Sequence, residues 1–143
     1  MLSNSSKYAV KAVLFLALNS SKKNKVMVKN IAEPINVPQA YIAKLLQELA
    51  KEKIISSARG PKGGFYLNED NLNNPVMNII NVIDGDKRLN RCMLSLEKCN
   101  KEKPCPLHGI LYPSRNTILD SLNSLTIKEL SADVESGNSF LPL

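Results

Sequence analysis

Hydrophobic positions recur at helical spacing along most of the chain, and Gly, Pro and Asn clusters separate the periodic segments. The first segment, SSKYAVKAVLFLALNSS, predicts a helix that Ser5 or Ser6 caps. Its apolar side chains form one broad face, made of Tyr8, Val10, Val13, Leu14, Ala17 and Leu18. A polar KKNK loop follows, and VMV then predicts a short strand or an extended entry to the next element.

Two further helical segments follow in close succession. KNIAEPI predicts a helix that Pro34 shortens or bends, because proline cannot donate a backbone hydrogen bond, and Asn36 suits a left-handed stop. PQAYIAKLLQELAKEK predicts a longer helix with Pro38 in its first turn. Its apolar positions at helical spacing are Ile42, Leu45, Leu46 and Leu49. Two helices joined by a tight turn, the second one longer, are the pattern of a helix-turn-helix.

The segment IISSARGPKGGFYL predicts a β-hairpin, because β-prone arms at 54–58 and 65–67 flank a Gly/Pro turn. A hairpin directly after a helix-turn-helix is the wing of a winged helix. After the break at NLNNP, the segment VMNIINVIDG predicts a short helix that Gly85 ends.

A long helix is predicted in the last third of the chain, where ILYPSRNTILDSLNSL carries apolar residues at heptad-like spacing. Pro113 marks its start, or kinks it if the helix begins earlier. TIKE matches a capping box from Thr126 and predicts a last short helix, and ESGNSFLPL is expected to be a loosely ordered tail.

The predicted fold is mainly α with a small β-hairpin wing. It comprises a winged helix-turn-helix domain at 1–85, a Cys/His loop at 86–109, the long helix and the C-terminal helix at 110–135, and a tail at 136–143.

Composition narrows the class of protein. The chain of 143 residues is 43% apolar and 22% charged, which suits a globular domain. It has no run of eighteen apolar residues, and no small-residue cleavage site follows its short apolar stretch at 12–18, so we expect neither a membrane span nor a signal peptide. We therefore expect a cytoplasmic protein whose three cysteines are thiols, which favours metal binding or redox chemistry over a structural disulfide.

Charge is distributed unevenly along the chain. Residues 1–70 contain eleven Lys or Arg against five Asp or Glu, whereas residues 71–143 contain eight of each. The net charge of +6 therefore lies in the first half, which favours a polyanion such as double-stranded DNA as the partner. The sequence shows no acid–base pair, no Ser/His/Asp set and no phosphate-binding loop, so we expect neither an enzyme nor a small-molecule substrate.

The first half offers seven candidate DNA contacts. A helix-turn-helix places the start of its second helix in the major groove, where Gln39 can pair with an adenine edge. Lys44, Lys29 and Asn30 suit phosphate contacts. Arg59 and Lys62 stand at the wing tip, from which Arg59 can enter a narrow minor groove. For Tyr41, major-groove contact and packing in the core remain equal alternatives.

Every cysteine and the only histidine lie in the segment CMLSLEKCNKEKPCPLH. Cys92, Cys99, Cys105 and His108 have the spacing C-x6-C-x5-C-x2-H, and thiolate and imidazole are ligands of zinc and of iron–sulfur clusters. The wide gaps differ from the C-x2-4-C pairs of zinc fingers and suit a loop around something larger than one ion. A metal or cluster site is favoured, with a thiol redox sensor and inert cysteines as alternatives.

These motifs together resemble the Rrf-two family of bacterial winged-helix transcription regulators over roughly residues 1–130. The resemblance rests on YAVKAVLFLA, on IAEPINVPQAYIAKLLQEL, on the wing SSARGPKGGFYL and on the Cys/His segment. The wing pattern S-x-R-G-x-x-G-G, placed directly after the helix-turn-helix, is the most specific of them.

Within the family the sequence is most similar to the iron–sulfur cluster regulators, and this likeness implies a cofactor. Cys92, Cys99, Cys105 and His108 match their ligand order, although the first gap here is one residue longer. Lys7 stands where another branch of the family has an aspartate ligand, so the resemblance implies a [2Fe–2S] cluster with one histidine ligand, with [4Fe–4S] as the alternative.

The resemblance also implies a homodimer, in which the long helix after the cysteines crosses between subunits. The predicted function is a sequence-specific transcription regulator that a cluster controls. Two alternatives stay open: a winged-helix regulator controlled by zinc or by a thiol–disulfide change, and a winged helix that docks a protein.

Overall fold

The computed structural model describes residues 2–143, which form eight helices and one two-stranded hairpin. In chain order the elements are α1 (Asn4–Asn19), α2 (Val28–Ile35), α3 (Gln39–Lys51), β1 (Ser56–Ala58), β2 (Gly64–Tyr66), α4 (Glu69–Leu72), α5 (Val76–Asp84), α6 (Lys87–Asn90), α7 (His108–Ser124) and α8 (Ile127–Glu135). The predicted fold class, mainly α with a hairpin wing, is confirmed. Within the described residues no helix has both the length and the hydropathy that crossing a bilayer requires.

Helix α1 starts slightly earlier than the sequence predicts. Its cap is Ser3 rather than Ser5 or Ser6, because the Ser3 hydroxyl accepts a hydrogen bond from the backbone N–H of Ser6 at 3.0 Å. Ser6 is fully buried within the first turn and cannot serve as the cap. The first turn of α1 therefore packs against the rest of the protein.

Helices α2 and α3 form the predicted helix-turn-helix. Asn36 adopts the left-handed conformation at φ 60° and ψ 54° and ends α2, as its residue type indicates. Pro34 lies inside the last turn of α2, where the helix runs only one residue further. Pro38 is the N-cap of α3 rather than a first-turn residue, which leaves the side chains from Gln39 onward on the recognition helix.

The hairpin is antiparallel, with Ser56 opposite Tyr66 and Ala58 opposite Gly64. Two glycines are required at its turn. A Cβ on Gly63 would lie 2.4 Å from the Ala58 carbonyl oxygen, and a Cβ on Gly64, at φ +145°, would lie 2.6 Å from the Val26 carbonyl oxygen. The close approach at Gly64 allows two backbone hydrogen bonds between Val26 and Phe65: the N–H of Phe65 donates to the Val26 carbonyl at 2.8 Å, and the N–H of Val26 donates to the Phe65 carbonyl at 2.9 Å. Within the described residues this isolated bridge is the only β-pairing of the VMV segment, which therefore does not form a strand.

Two hydrophobic clusters hold the chain together. The larger one packs α1, α2, α3 and the hairpin and also includes Ile127 of α8, which lies outside the predicted 1–85 range. The smaller one joins α5, Leu89 of α6 and the α7 residues Leu119 and Leu122.

The chain leaves the larger cluster at α5 and returns to it at α8. The two crossing points are fixed together, because the N–H of Val76 donates to the Leu125 carbonyl at 2.9 Å and the N–H of Ile127 donates to the Asn74 carbonyl at 3.0 Å. The predicted Thr126 capping box is present, with the backbone N–H of Glu129 donating to the Thr126 hydroxyl. We call these two hydrogen-bonded segments, 74–76 and 125–127, the clasp.

Helix α7 begins at His108, five residues before Pro113, so Pro113 lies within the helix rather than at its start. None of its residues from His108 to Ser124 is buried in the single chain. Ile110 is 71% exposed, and Ile118 and the following Leu125 are also exposed. The helix therefore presents apolar side chains that this chain alone does not cover.

Two short helices, α4 and α6, were not predicted. Helix α4 forms because Asn68 and Asn71 make a reciprocal capping box. Asn71 is buried, and its amide also bonds the Ser56 hydroxyl at 2.7 Å and the Lys53 carbonyl at 3.0 Å. The asparagine-rich stretch that indicates a chain break thus fixes the base of the wing.

One buried carboxylate ties the start of α1 to the end of α5. The Asp84 side chain is 6% exposed and accepts hydrogen bonds from the backbone N–H and the hydroxyl of Ser3, and Arg88 of α6 lies 3.8 Å away. Burial alone would raise the pKa of the Asp84 carboxyl, but the Ser3 hydrogen bonds and the Arg88 charge together lower this pKa. The ionised form of Asp84 is therefore favoured in the folded chain.

Replacing Asp84 should destabilise the fold in a pH-dependent way. We expect Asp84→Asn to lower the free energy of unfolding by about 1–2 kcal/mol at neutral pH, since a charged hydrogen-bond acceptor is lost. Because the folded pKa lies below the unfolded value of about 3.9, this contribution is complete above about pH 4 and disappears as the pH falls through the folded pKa.

Urea unfolding of the wild type and Asp84→Asn across this pH range measures the effect. Asp120→Asn, which changes an exposed carboxylate of α7, is the matched control. A difference between Asp84→Asn and the wild type that grows on acidification would contradict the assignment.

Candidate metal centre and nucleic-acid interface

The four predicted ligands lie around one cavity of about 350 Å³. The Sγ atoms of Cys92 and Cys105 are 3.5 Å apart, and the Sγ of Cys99 is 3.1 Å from Nδ1 of His108. Within residues 2–143, no three Cys, His, Asp or Glu side chains converge tightly enough to hold a single metal ion. The structure thus brings the predicted residues together as two close pairs, one of two thiols and one of a thiol and an imidazole.

A short hairpin turn explains how the six-residue gap closes. Arg91 and Lys98 form an isolated antiparallel bridge, and the N–H of Cys92 donates to the Glu97 carbonyl at 3.3 Å. Cys92 and Cys99 directly follow the two bridged residues, so the turn delivers them to the same side of the loop.

The next two ligands are placed by an asparagine turn and a helix start. The Asn100 side-chain oxygen accepts hydrogen bonds from the backbone N–H groups of Glu102 and Lys103 at 2.8 and 3.2 Å, which reverses the chain. The N–H of His108 then donates to the Cys105 carbonyl at 2.9 Å and opens α7. The last predicted ligand is therefore the first residue of a long helix.

The cavity around these donors is apolar and positively charged. Its wall includes leucine and isoleucine side chains of α6 and α7, together with Arg88, Arg91 and Arg115. Guanidinium groups beside thiols stabilise negative charge on sulfur. The surroundings thus suit a negatively charged group such as a set of thiolates with bound metal.

The loop backbone makes the Cys92 thiol more acidic than a free cysteine. Hydrogen bonds from the backbone N–H groups of Ser95 and Leu94, and then from the Cys105 thiol, lower the pKa of Cys92 to about 7. The lowered pKa therefore favours the thiolate of Cys92 at neutral pH, which is the form that binds metal and reacts with oxidants.

The predicted DNA contacts on the helix-turn-helix are exposed. Lys29 and Asn30 lie on α2, and Gln39 and Lys44 lie on α3. The Lys29–Glu33 ion pair, at 3.9 Å, joins two exposed side chains and is too weak to withhold Lys29 from phosphate. The structure places these side chains where a duplex can reach them.

Tyr41 takes a position between its two predicted alternatives. The side chain is 37% exposed, but its ring packs edge-on against Tyr8 of α1 with centroids 5.9 Å apart. Its hydroxyl lies 2.7 Å from the Ser5 hydroxyl. Tyr41 therefore links the recognition helix to α1 and keeps one edge on the surface.

The wing residues Arg59 and Lys62 are exposed in the turn between β1 and β2. A hydrogen bond from the N–H of Gly63 to the Gly60 carbonyl at 2.9 Å closes this turn. The two cations therefore stand on a short, hydrogen-bonded turn and are exposed to solvent.

Among the cavity residues that the sequence did not predict are Tyr112 and Arg115. Tyr112 stacks on His108, and hydrogen bonds with Asn116 and then with Lys101 lower the pKa of its hydroxyl. The available signal was the spacing of four between His108 and Tyr112, which places both on one helix face. The predicted loop at 86–109 included His108 and the predicted helix began only at 110 or at Pro113, so this signal was hidden.

Comparison with known proteins identifies relatives over nearly the whole chain. Residues 2–133 match the model of the Rrf2 family, described as iron-dependent transcriptional regulators. The HTH-type transcriptional regulator IscR of Vibrio vulnificus is 30% identical over 134 residues, which span 94% of this chain and 79% of that protein.

Two solved structures are similar in fold. The global cysteine regulator CymR (YrzC) of B. subtilis matches with a TM-score of 0.74 and 20% identity, over 92% of this chain and 96% of that one. IscR of T. potens matches with a TM-score of 0.71 and 24% identity, over 97% of this chain and 91% of that one. The chain, with its helix-turn-helix, its hairpin wing and its match across residues 2–133, is a member of the Rrf2 family of winged-helix transcription regulators.

Proposed function

We propose that this transcription regulator acts in the cytoplasm and binds DNA under the control of an iron–sulfur cluster held by Cys92, Cys99, Cys105 and His108. The observation that carries the proposal is the arrangement of the four donors as two close pairs at one cavity. In a two-iron cluster each iron takes two protein ligands. The thiol pair and the thiol–imidazole pair match that division.

The separations within the pairs fit ligands that share one metal ion. Ligands at about 2.3 Å from a tetrahedral metal lie roughly 3.8 Å apart, and those of a thiolate and an imidazole lie slightly closer. The observed separations of 3.5 and 3.1 Å need little adjustment. When bound, a [2Fe–2S] cluster supplies one-electron redox chemistry at this site; [4Fe–4S] is the alternative with the same ligands.

On the DNA side we assign Gln39 to a base edge and Lys29, Asn30 and Lys44 to phosphate contacts. Arg59 and Lys62 reach the groove from the wing. Tyr41 is assigned to the interface through its exposed edge, with its ring and hydroxyl held by α1.

The proposal includes a homodimer that forms through α7. Its exposed apolar residues need a partner surface, and a second copy of the same helix supplies one that matches. Two recognition helices then address two half-sites about one helical turn apart, or a multiple of that distance.

The metal and DNA regions are joined by named contacts. Arg88 lines the metal cavity and lies beside Asp84, which holds Ser3 at the start of α1. Ser5, in the first turn of α1, contacts the hydroxyl of Tyr41 on the recognition helix. A conformational change in the loop can therefore be transmitted along two routes. One runs through α7 to the partner subunit, and the other runs through α1 to the helix that contacts DNA.

A second candidate function is a thiol–disulfide switch. It is favoured by the 3.5 Å separation of the Cys92 and Cys105 sulfurs and by the lowered pKa of Cys92. The CymR fold match is compatible with it. Both candidates use the same loop and differ in whether metal is present.

Anaerobic purification with a visible spectrum and assays of iron, zinc and acid-labile sulfide tests the proposal. About two irons and two sulfides per chain support [2Fe–2S], and about four of each indicate [4Fe–4S]. Colourless protein that holds zinc, or no metal after anaerobic reconstitution, would overturn the cluster proposal and leave the thiol switch.

Removing one ligand should abolish stable metal retention. We expect Cys105→Ala to retain less than about one tenth of the wild-type iron after gel filtration, because one iron loses a thiolate. Leu96→Ala, in the same loop and 98% exposed, is the matched control and should keep the full amount. Full occupancy in Cys105→Ala would remove Cys105 from the ligand set.

Removing the wing cation should weaken duplex binding. Arg59→Ala should raise the Kd for a random-sequence duplex roughly tenfold, about 1.4 kcal/mol, and should flatten its dependence on salt. Fluorescence anisotropy across a salt series measures both quantities. Lys128→Ala removes one charge from α8 and should bind as the wild type does; equal Kd values for both variants would contradict the role of the wing.

The acidity of Cys92 is testable in metal-free protein. The rate at which iodoacetamide modifies Cys92 should rise with pH around a midpoint near 7, because the thiolate is the reactive form. Mass spectrometry of the peptide containing Cys92 measures this rate. In urea the midpoint should return to about 8.5, and a folded-state midpoint at that value would refute the loop hydrogen bonds.

A further inference from the structure

Tyr112 covers one face of the only histidine. It lies one helical turn after His108 on α7, and the two rings stack with centroids 4.6 Å apart and planes 17° from parallel. Both side chains are half-buried. The stack restricts rotation of the imidazole about its side-chain bonds, because any large turn drives the ring into the tyrosine.

Two cations fix Tyr112 in turn. Lys101 Nζ lies 5.1 Å from the Tyr112 ring centroid, and the Arg115 guanidinium carbon lies 5.0 Å from it. Such contacts attract a cation to the electron-rich ring face. The tyrosine is thereby held between its own helix and the loop that carries the cysteines.

Both cations connect the ring to the two arms of the loop. Lys101 lies between Cys99 and Cys105 in the chain, and Arg115 Nη1 donates to the Arg91 carbonyl at 3.2 Å, directly before Cys92. Tyr112 is therefore the point at which α7 meets both arms of the loop. A tyrosine that merely filled apolar space would not require these cations.

A histidine ligand needs a second group to set the plane of its ring. Such partners are commonly carboxylates or carbonyls that accept the second ring N–H, and removing them costs metal affinity. Here Nδ1 of His108 is directed at the Cys99 sulfur, and an aromatic ring lies against the face of the imidazole. The stack therefore does for ring orientation what a hydrogen-bond acceptor usually does.

We propose that Tyr112 is a positioning residue that holds the His108 imidazole toward Cys99 by stacking, and that Lys101 and Arg115 lock it to the loop. The proposal rests on the proposed function, in which His108 is a ligand. It assigns the positioning to the stack between the two rings, which phenylalanine keeps and leucine removes; the contacts of the Tyr112 hydroxyl with Lys101 and Asn116 are not required for it.

The first test needs no metal. Since the chain has one histidine, its ring protons give single signals in an NMR spectrum. In metal-free wild type they should lie upfield of their positions in urea, because the Tyr112 ring current shields them. Tyr112→Phe should keep this displacement and Tyr112→Leu should lose most of it. Unchanged His108 signals in Tyr112→Leu would overturn the stack.

The second test uses anaerobically reconstituted protein. With a chelator present, Tyr112→Leu should lose iron about tenfold faster than the wild type, and Tyr112→Phe should lose it at the wild-type rate. Tyr66→Leu is the matched control, since it removes a lysine-covered tyrosine from the wing, far along the chain from the cysteines. Circular dichroism confirms that each variant is folded.

The outcomes separate this proposal from the proposed function. Wild type that never takes up iron refutes the cluster, and Tyr112 then has no ligand to position whatever the NMR signals show. Wild type that holds iron, together with Tyr112→Leu releasing it at the same rate, refutes only the positioning role. Equal losses in Tyr112→Leu and Tyr112→Phe would assign the effect to the hydroxyl and also overturn the proposal.

Discussion

The clasp is the constraint on which the rest of the structure depends. Two backbone hydrogen bonds join residues 74–76 to 125–127, and the fully buried Ile127 fixes the second segment in the main core. The chain between these points, from α5 through the Cys/His loop to α7, leaves the DNA-binding core and returns to it at the clasp. We call this part of the chain the excursion. The smaller hydrophobic cluster joins this excursion to the main core, because Val10 of α1 and Leu130 of α8 pack against both clusters.

The site depends on local turns as much as on the core. The Arg91–Lys98 bridge and the Asn100 turn each reverse the chain within a few residues, and α7 then begins at the fourth donor. These two turns are short and solvent-exposed, so rearranging them requires little free energy. This combination of defined geometry and low local stability suits a loop that changes conformation, as the proposed function requires.

Much of the fold could be predicted because single residues carry its boundaries. Asn36 ends α2, Gly85 ends α5 and Thr126 caps α8, each through chemistry local to that residue. Helices α4 and α6 have only four residues each and depend on tertiary contacts such as those of Asn71, so periodicity could not reveal them.

The candidate site was predictable in its residues but not in its geometry. Clustering of all cysteines with the one histidine indicated the donors, whereas their pairing across the gaps depends on turns that spacing does not encode. The start of α7 was predicted at 110 or at Pro113, whereas the helix begins at His108 and accommodates Pro113 in its second turn. That error concealed the relation of His108 to Tyr112.

The contribution of α8 to the main core has a consequence for how the protein is made. A ribosome synthesises the helix-turn-helix and the wing first, but their core lacks Ile127 until α8 has emerged. The Cys/His loop is therefore synthesised before the core of the DNA-binding half is complete. The path of the backbone thus makes final packing of the helix-turn-helix a late event on the nascent chain.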